Sequence, residues 1–186
     1  MIDKENHIYI VLSDTGTWFT KMIQLYTKAP LNHASIAFDP ELNEVYSFGR
    51  KNPMNPFIGG FVKEDLRGGV FKEATFAVYR CSMSESQFLT IRTIVQHFER
   101  ESHLYKYNLP GLLGVMLNIP VTPERAYFCS QFVASVFEQA GARLVPKCAA
   151  LTTPSDLERS GALELMFCGR SNFPENRFAT SNGYSF

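Results

Sequence analysis

Two side chains occupy positions from which they could do chemistry, Cys129 and His33. Cys129 opens a stretch in which Phe132, Val133, Val136, Phe137 and Ala140 recur at helical spacing, up to a natural stop at Gly141. A thiol in the first turn of a helix meets unbonded backbone N–H groups and the positive end of the helix dipole. Both favour the thiolate, and the same N–H groups suit a developing oxyanion. A cysteine between Phe128 and Phe132 also reads as a small core residue. His33 starts the run His33-Ala34-Ser35-Ile36-Ala37-Phe38-Asp39, a predicted strand, where a histidine can equally be structural. Nothing in the surroundings of His7, His97 or His103 favours them over it. Taken together, the thiol and the imidazole suit nucleophilic catalysis. The imidazole takes the thiol proton and later returns it to a leaving group. No second histidine or carboxylate stands at ligand spacing from either residue. The cysteines at 81, 129, 148 and 168 form no CxxC pair, so neither a metal nor an organic cofactor is expected.

The elements that must position this pair are legible in outline. Ile8 to Ser13 reads as a buried strand, and Phe19, Met22, Ile23 and Tyr26 as one face of a helix running to about Thr27. The His33 strand turns at Pro40-Glu41-Leu42-Asn43 and returns as Glu44 to Gly49, a hairpin. Residues 50–70 are rich in Gly, Pro and Asn and are expected to form a long loop with one short strand, its apolar patch at Phe57, Ile58 and Phe61 serving as a wall of a site or an ordered surface. Thr75 to Cys81 is a strand. Ser84 and Gln87 form a capping box for a helix with Phe88, Ile91, Val95 and Phe98 on one face. Leu109 to Met116 is apolar, too short to span a bilayer, and expected to be a buried helix. Thr153-Pro154-Ser155-Asp156-Leu157 starts a short helix, and Leu163 to Cys168 reads as a closing strand.

Composition narrows the function classes. The 186 residues carry 18 basic and 18 acidic side chains, a balance that gives no electrostatic footprint for nucleic acid. No apolar run approaches the roughly 20 residues of a membrane span, so no stable membrane insertion is expected. Met1 to His7 lacks the pattern of an export signal, so the expected location is cytoplasmic, with free thiols.

The order of the motifs resembles a known family. Leu31-Asn32-His33-Ala34-Ser35-Ile36 resembles the histidine strand of the NlpC/p60 superfamily of papain-like cysteine hydrolases, and Phe128-Cys129-Ser130-Gln131-Phe132-Val133 resembles its cysteine helix. Here the histidine precedes the cysteine, as in the circularly permuted branch. The opening strand and helix before His33 fit that branch, as does the Thr153 to Leu157 motif after the cysteine helix. The resemblance covers about residues 8–168. It implies an α+β, permuted papain-like fold, an antiparallel sheet packed against helices, in one domain over residues 1–170 with an irregular tail at 171–186. It also implies a third polar residue that orients the imidazole. Aligning the hairpins puts Ser47 there, where family members carry His, Asn, Gln or Glu. Glu44 and Asp39 are carboxylates nearby. A tyrosine in the Tyr105-Lys106-Tyr107-Asn108 segment, Tyr107, is implied as a donor to the oxyanion. The activity implied is that of a cysteine-dependent amidase or peptidase, acting on a small peptide, amide or acyl substrate through an acyl-thioester. An acyltransferase or thioesterase on lipid-like substrates, or a non-catalytic binding module, stands beside it.

Overall fold

The computed structural model describes residues 6–14, 30–51 and 58–170. The helix expected up to Thr27, Phe57 and the tail at 171–186 lie outside the described residues. Six strands form one antiparallel sheet: β1 (Asn6–Asp14), β2 (His33–Ala37), β3 (Val45–Arg50), β4 (Gly59–Glu64), β5 (Thr75–Met83) and β8 (Glu164–Arg170), in the order β4-β3-β2-β1-β5-β8. Among the described residues four α-helices follow β5 in the chain: α1 (Glu85–Arg100), α2 (Leu109–Leu117), α3 (Cys129–Gln139) and α4 (Pro154–Glu158). The short strands β6 (Lys106–Tyr107) and β7 (Ala126–Tyr127) pair in parallel beside the sheet.

The alternation of side chains along the strands builds two apolar layers. Ile8, Ile10, Leu12, Ile36 and Phe48 pack against Ile91, Val95 and Phe98 of α1 and against Phe132, Val133, Val136 and Phe137 of α3. On the other face Tyr9, Val11, Ala37, Val45 and Val78 are covered by Leu66, Phe71 and Ala74. With both faces covered, β1 reads as an unbroken apolar run, and all of Ile8 to Ser13 is buried.

The helix ends follow local chemistry. Gln87 N–H donates to Ser84 Oγ at 3.3 Å and Ser84 N–H to Gln87 Oε1 at 3.2 Å, the expected capping box. Gly141 takes a positive φ of 68° after α3, while Ala142 N–H reaches Phe137 O at 2.9 Å and Gly141 N–H reaches Glu138 O at 3.0 Å, a Schellman stop. Thr153 and Asp156 cap α4 reciprocally, with Pro154 at the first helical position. No helix among the described residues is long and apolar enough to cross a membrane.

One expectation needs correction. The segment 109–116 is helical but buried on one side only: Leu113 is 63% exposed and Met116 44%. α2 turns its glycines inward instead. A Cβ at Gly114 would fall 2.4 Å from Ile119 O, and one at Gly111 would fall 2.2 Å from the Asn108 amide. Close packing through glycine leaves Leu113 and Leu117 on the outside. The stretch 50–70 holds the one short strand expected of it, β4. β4 pairs with β3 over all six of its residues, from Val45 opposite Glu64 to Arg50 opposite Gly59. Its two glycines read as loop formers, but they are there because β6 crosses close by. A Cβ at Gly59 would meet Tyr107 Cβ at 2.9 Å, and one at Gly60 would meet Tyr105 O at 2.3 Å.

Candidate active site

Cys129 is the first residue of α3, and Phe128 before it is extended. Phe128 has no side-chain acceptor, so the leading N–H groups of the helix are left free for the site. The one reciprocal bond comes from the third helical residue: Gln131 Oε1 accepts from Phe128 N–H at 3.3 Å. The helix is fixed from below by Ser130 Oγ, which donates to Thr152 O at 2.7 Å.

His33 begins β2 and lies in hydrogen-bonding contact with the Cys129 thiol. Its Nε2 is 2.8 Å from Glu64 Oε1 and 3.1 Å from Ser47 Oγ. With Nε2 so engaged, Nδ1 is the ring nitrogen left to face the sulfur. Ser47 donates to Glu64 Oε1 at 2.9 Å and Ser35 to Glu64 Oε2 at 2.5 Å, so each carboxylate oxygen has a hydroxyl donor. The His33 and Glu64 side chains are only 14% and 6% exposed, which makes this a buried, saturated pair.

Burial works against charge on all three groups, and their mutual contacts overturn it. Desolvation would raise Cys129. The hydrogen bond and charge of His33, with the N–H groups of Ala34 and Ser130, instead hold the thiol below its ordinary range. Desolvation would lower His33, but the Glu64 carboxylate and the bond to Cys129 push it well above its ordinary value. Desolvation would raise Glu64, yet the charge of His33 and the bonds from His33, Ser35 and Ser47 bring it down. All three shifts run toward the charged forms, thiolate, imidazolium and carboxylate.

Tyr107 meets the sulfur from the other side. Burial and the Cys129 charge push its phenol well above the ordinary range, so it stays protonated and can donate, and its oxygen also lies within reach of the Cys129 backbone N–H. The parallel pair β6 and β7 brings Tyr107 opposite Tyr127, two residues before Cys129. Asn108 locks the two together. Its amide donates to Val121 O at 2.9 Å and to Gln131 Oε1 at 3.0 Å, while its oxygen accepts from Gly111 N–H at 2.8 Å. Asn108 is fully buried, with every one of these polar positions used.

All four expected site residues, Cys129, His33, Ser47 and Tyr107, therefore converge. Glu64 was not anticipated. It belongs to the segment expected to be mostly loop, and only its register opposite Val45 puts it on the His33 face. The local signal was weak: Phe61 and Val62 are strand formers, but Phe61-Val62-Lys63-Glu64 does not alternate apolar with polar. The two other carboxylates weighed for this role are occupied elsewhere. Glu44 pairs with Arg92 at 2.9 Å, and Asp39 holds the turn through Asn43 and Glu44 N–H. His97 contacts Glu101 at 3.7 Å and His7 contacts Ser82 at 3.3 Å, both away from the thiol. Among the described residues no group of three His, Cys, Asp or Glu side chains is placed to hold a metal ion. No protein-family model matches the chain, and no curated protein matches it in sequence.

Proposed function

We propose that the protein is a cysteine-dependent hydrolase of the amidase or peptidase type, on a permuted papain-like fold of the NlpC/p60 kind. The observation that carries this reading is the continuous line from Cys129 through His33 to the buried Glu64, with an oxyanion donor pair beside it. The Cys129 thiolate attacks the substrate carbonyl carbon. The carbonyl electron pair moves onto oxygen, where the Cys129 N–H and the Tyr107 hydroxyl stabilise it. Collapse of this intermediate expels the leaving group, which takes the proton from the His33 imidazolium, and leaves an acyl-thioester. Water then attacks the thioester while His33 accepts its proton. The acid product departs and the thiolate–imidazolium pair is restored. Glu64 keeps the ring oriented and favours its charged form throughout. A serine at 47 without a carboxylate partner would favour a non-catalytic module; Glu64 removes that ground.

A second reading, an acyltransferase or thioesterase on lipid-like substrates, draws support from the exposed Leu113 and Leu117. They lie on the helix that starts two residues after Tyr107. One experiment addresses both. Intact-protein mass spectrometry after incubation with cell extract should show an acyl adduct on Cys129 that Cys129→Ala abolishes. An amino-acyl mass supports the amidase, and a fatty-acyl mass the second reading. No adduct, with all four cysteines alkylated equally slowly, would overturn both.

A further inference from the structure

Arg50, the last residue of β3, alternates with Phe48 and Tyr46 and so shares the helix-covered face of the sheet. Its cross-strand partner is Gly59, the glycine against which the Tyr107 side chain packs. Arg50 thus stands next to the oxyanion tyrosine, and its charge is felt there, pulling the phenol downward against burial. Three other arginines have acidic partners: Arg80 has Glu164 at 2.7 Å, Arg92 has Glu44 at 2.9 Å, and Arg143 has Glu138. Among the described residues the Arg50 guanidinium has no ion pair and no side-chain hydrogen bond, although it is half-buried. A partly buried guanidinium with no counter-charge in the fold is open to an anionic group from outside. The free N-terminus of α3 adds positive potential on the same side of the thiol.

Building on the thiol-hydrolase reading, we propose that the substrate carries a carboxylate close to the scissile carbonyl and that Arg50 is the residue that recognises it. The class is therefore an acidic amide, ester or peptide rather than a neutral one. The fork of the guanidinium suits two-point contact with a carboxylate.

The test uses two alkylating agents of the same size and different charge. Iodoacetate and iodoacetamide both transfer a carbon to the thiolate with loss of iodide, and only iodoacetate brings a carboxylate. Rates at Cys129 are read by peptide mapping at low ionic strength. In Arg50→Gln the ratio of iodoacetate to iodoacetamide rates should fall by about fivefold or more, with the iodoacetamide rate little changed. Arg50→Lys, which keeps the charge, should retain most of the ratio. In the unaltered protein the ratio should shrink as salt is added. A ratio that stays within about twofold in Arg50→Gln overturns the assignment, as does equal loss in the Lys variant. If neither reagent labels Cys129 ahead of the exposed Cys148 and Cys168, the thiolate itself is wrong, and the hydrolase reading falls along with this one.

Discussion

Two cysteines in this protein are buried almost equally, Cys81 at 5% exposed and Cys129 at 4%, yet their acidities move in opposite directions. Cys81 lies within β5, where its thiol bonds to Ser82 O at 3.9 Å, and burial raises its pKa. Cys129 lies at a helix N-terminus beside an imidazole, and its pKa is lowered. Exclusion from water therefore does not by itself set the acidity of a thiol here. What differs is the number of donors and positive charges aimed at the sulfur, and whether those are themselves held by a second layer of bonds. His33 is held by Glu64 and Ser47, and Tyr107 is held through Asn108.

The sharpest test of this contrast is to remove each sulfur in turn. Cys129→Ala should reduce hydrolysis of an activated ester to background, while Cys81→Ala should leave turnover within about twofold and cost about 1 kcal/mol in a denaturation experiment. Equal losses in both would erase the distinction. Next in size is Glu64→Gln, which keeps shape and removes charge. It should lower turnover by about 10²- to 10⁴-fold. It should also move the acid limb of Cys129 alkylation to higher pH, because the imidazolium that sustains the thiolate is weakened. An unmoved limb would show that the carboxylate does not act through His33.

The pH dependence of the intact protein has a definite sign. The carboxyl of Glu64 is depressed, so its contribution to stability is present above the ordinary carboxylate range and is lost as pH falls through the lowered value. His33 is raised, so its contribution is complete below the ordinary imidazole range and is lost as pH rises through the raised value. Chemical denaturation across pH should therefore show the widest advantage over Glu64→Gln between these limits, and little advantage in strong acid. A constant difference at all pH values would contradict the ion pair. Smaller again is Asn108→Ala. It should cost about 1–3 kcal/mol of stability by leaving Gln131 and Gly111 short of partners, and it should lower turnover by loosening Tyr107. The smallest expected effect is Ser47→Ala, a loss of about three- to tenfold in turnover, because Glu64 still holds the ring through its own bond.

Much of this was legible in the chain. The capping box at Ser84, the Gly141 stop and the Thr153-Pro154 helix start follow from bonds between residues three to five apart, which depend little on the rest of the fold. The roles expected of Cys129, His33 and Tyr107 came from motif order, and the three side chains do meet. What stayed hidden, and the one misreading, arose where distant chain intrudes. Gly59 and Gly60 signal a loop when read locally, and only the crossing of β6 explains them as strand residues. The apolar stretch of α2 signals burial, but which side of a helix faces inward depends on what approaches it, and here the close approach is made at glycines.

By itself the sequence determined which segments could be strand or helix, since hydrophobic period and capping residues act over a few positions. It also determined that one thiol sits at a helix start. Only the tertiary structure decided that Glu64 completes the site and that Arg50 stands beside Tyr107. Strand register is set by packing over the whole sheet, and a shift of one residue would have turned Glu64 to the other face.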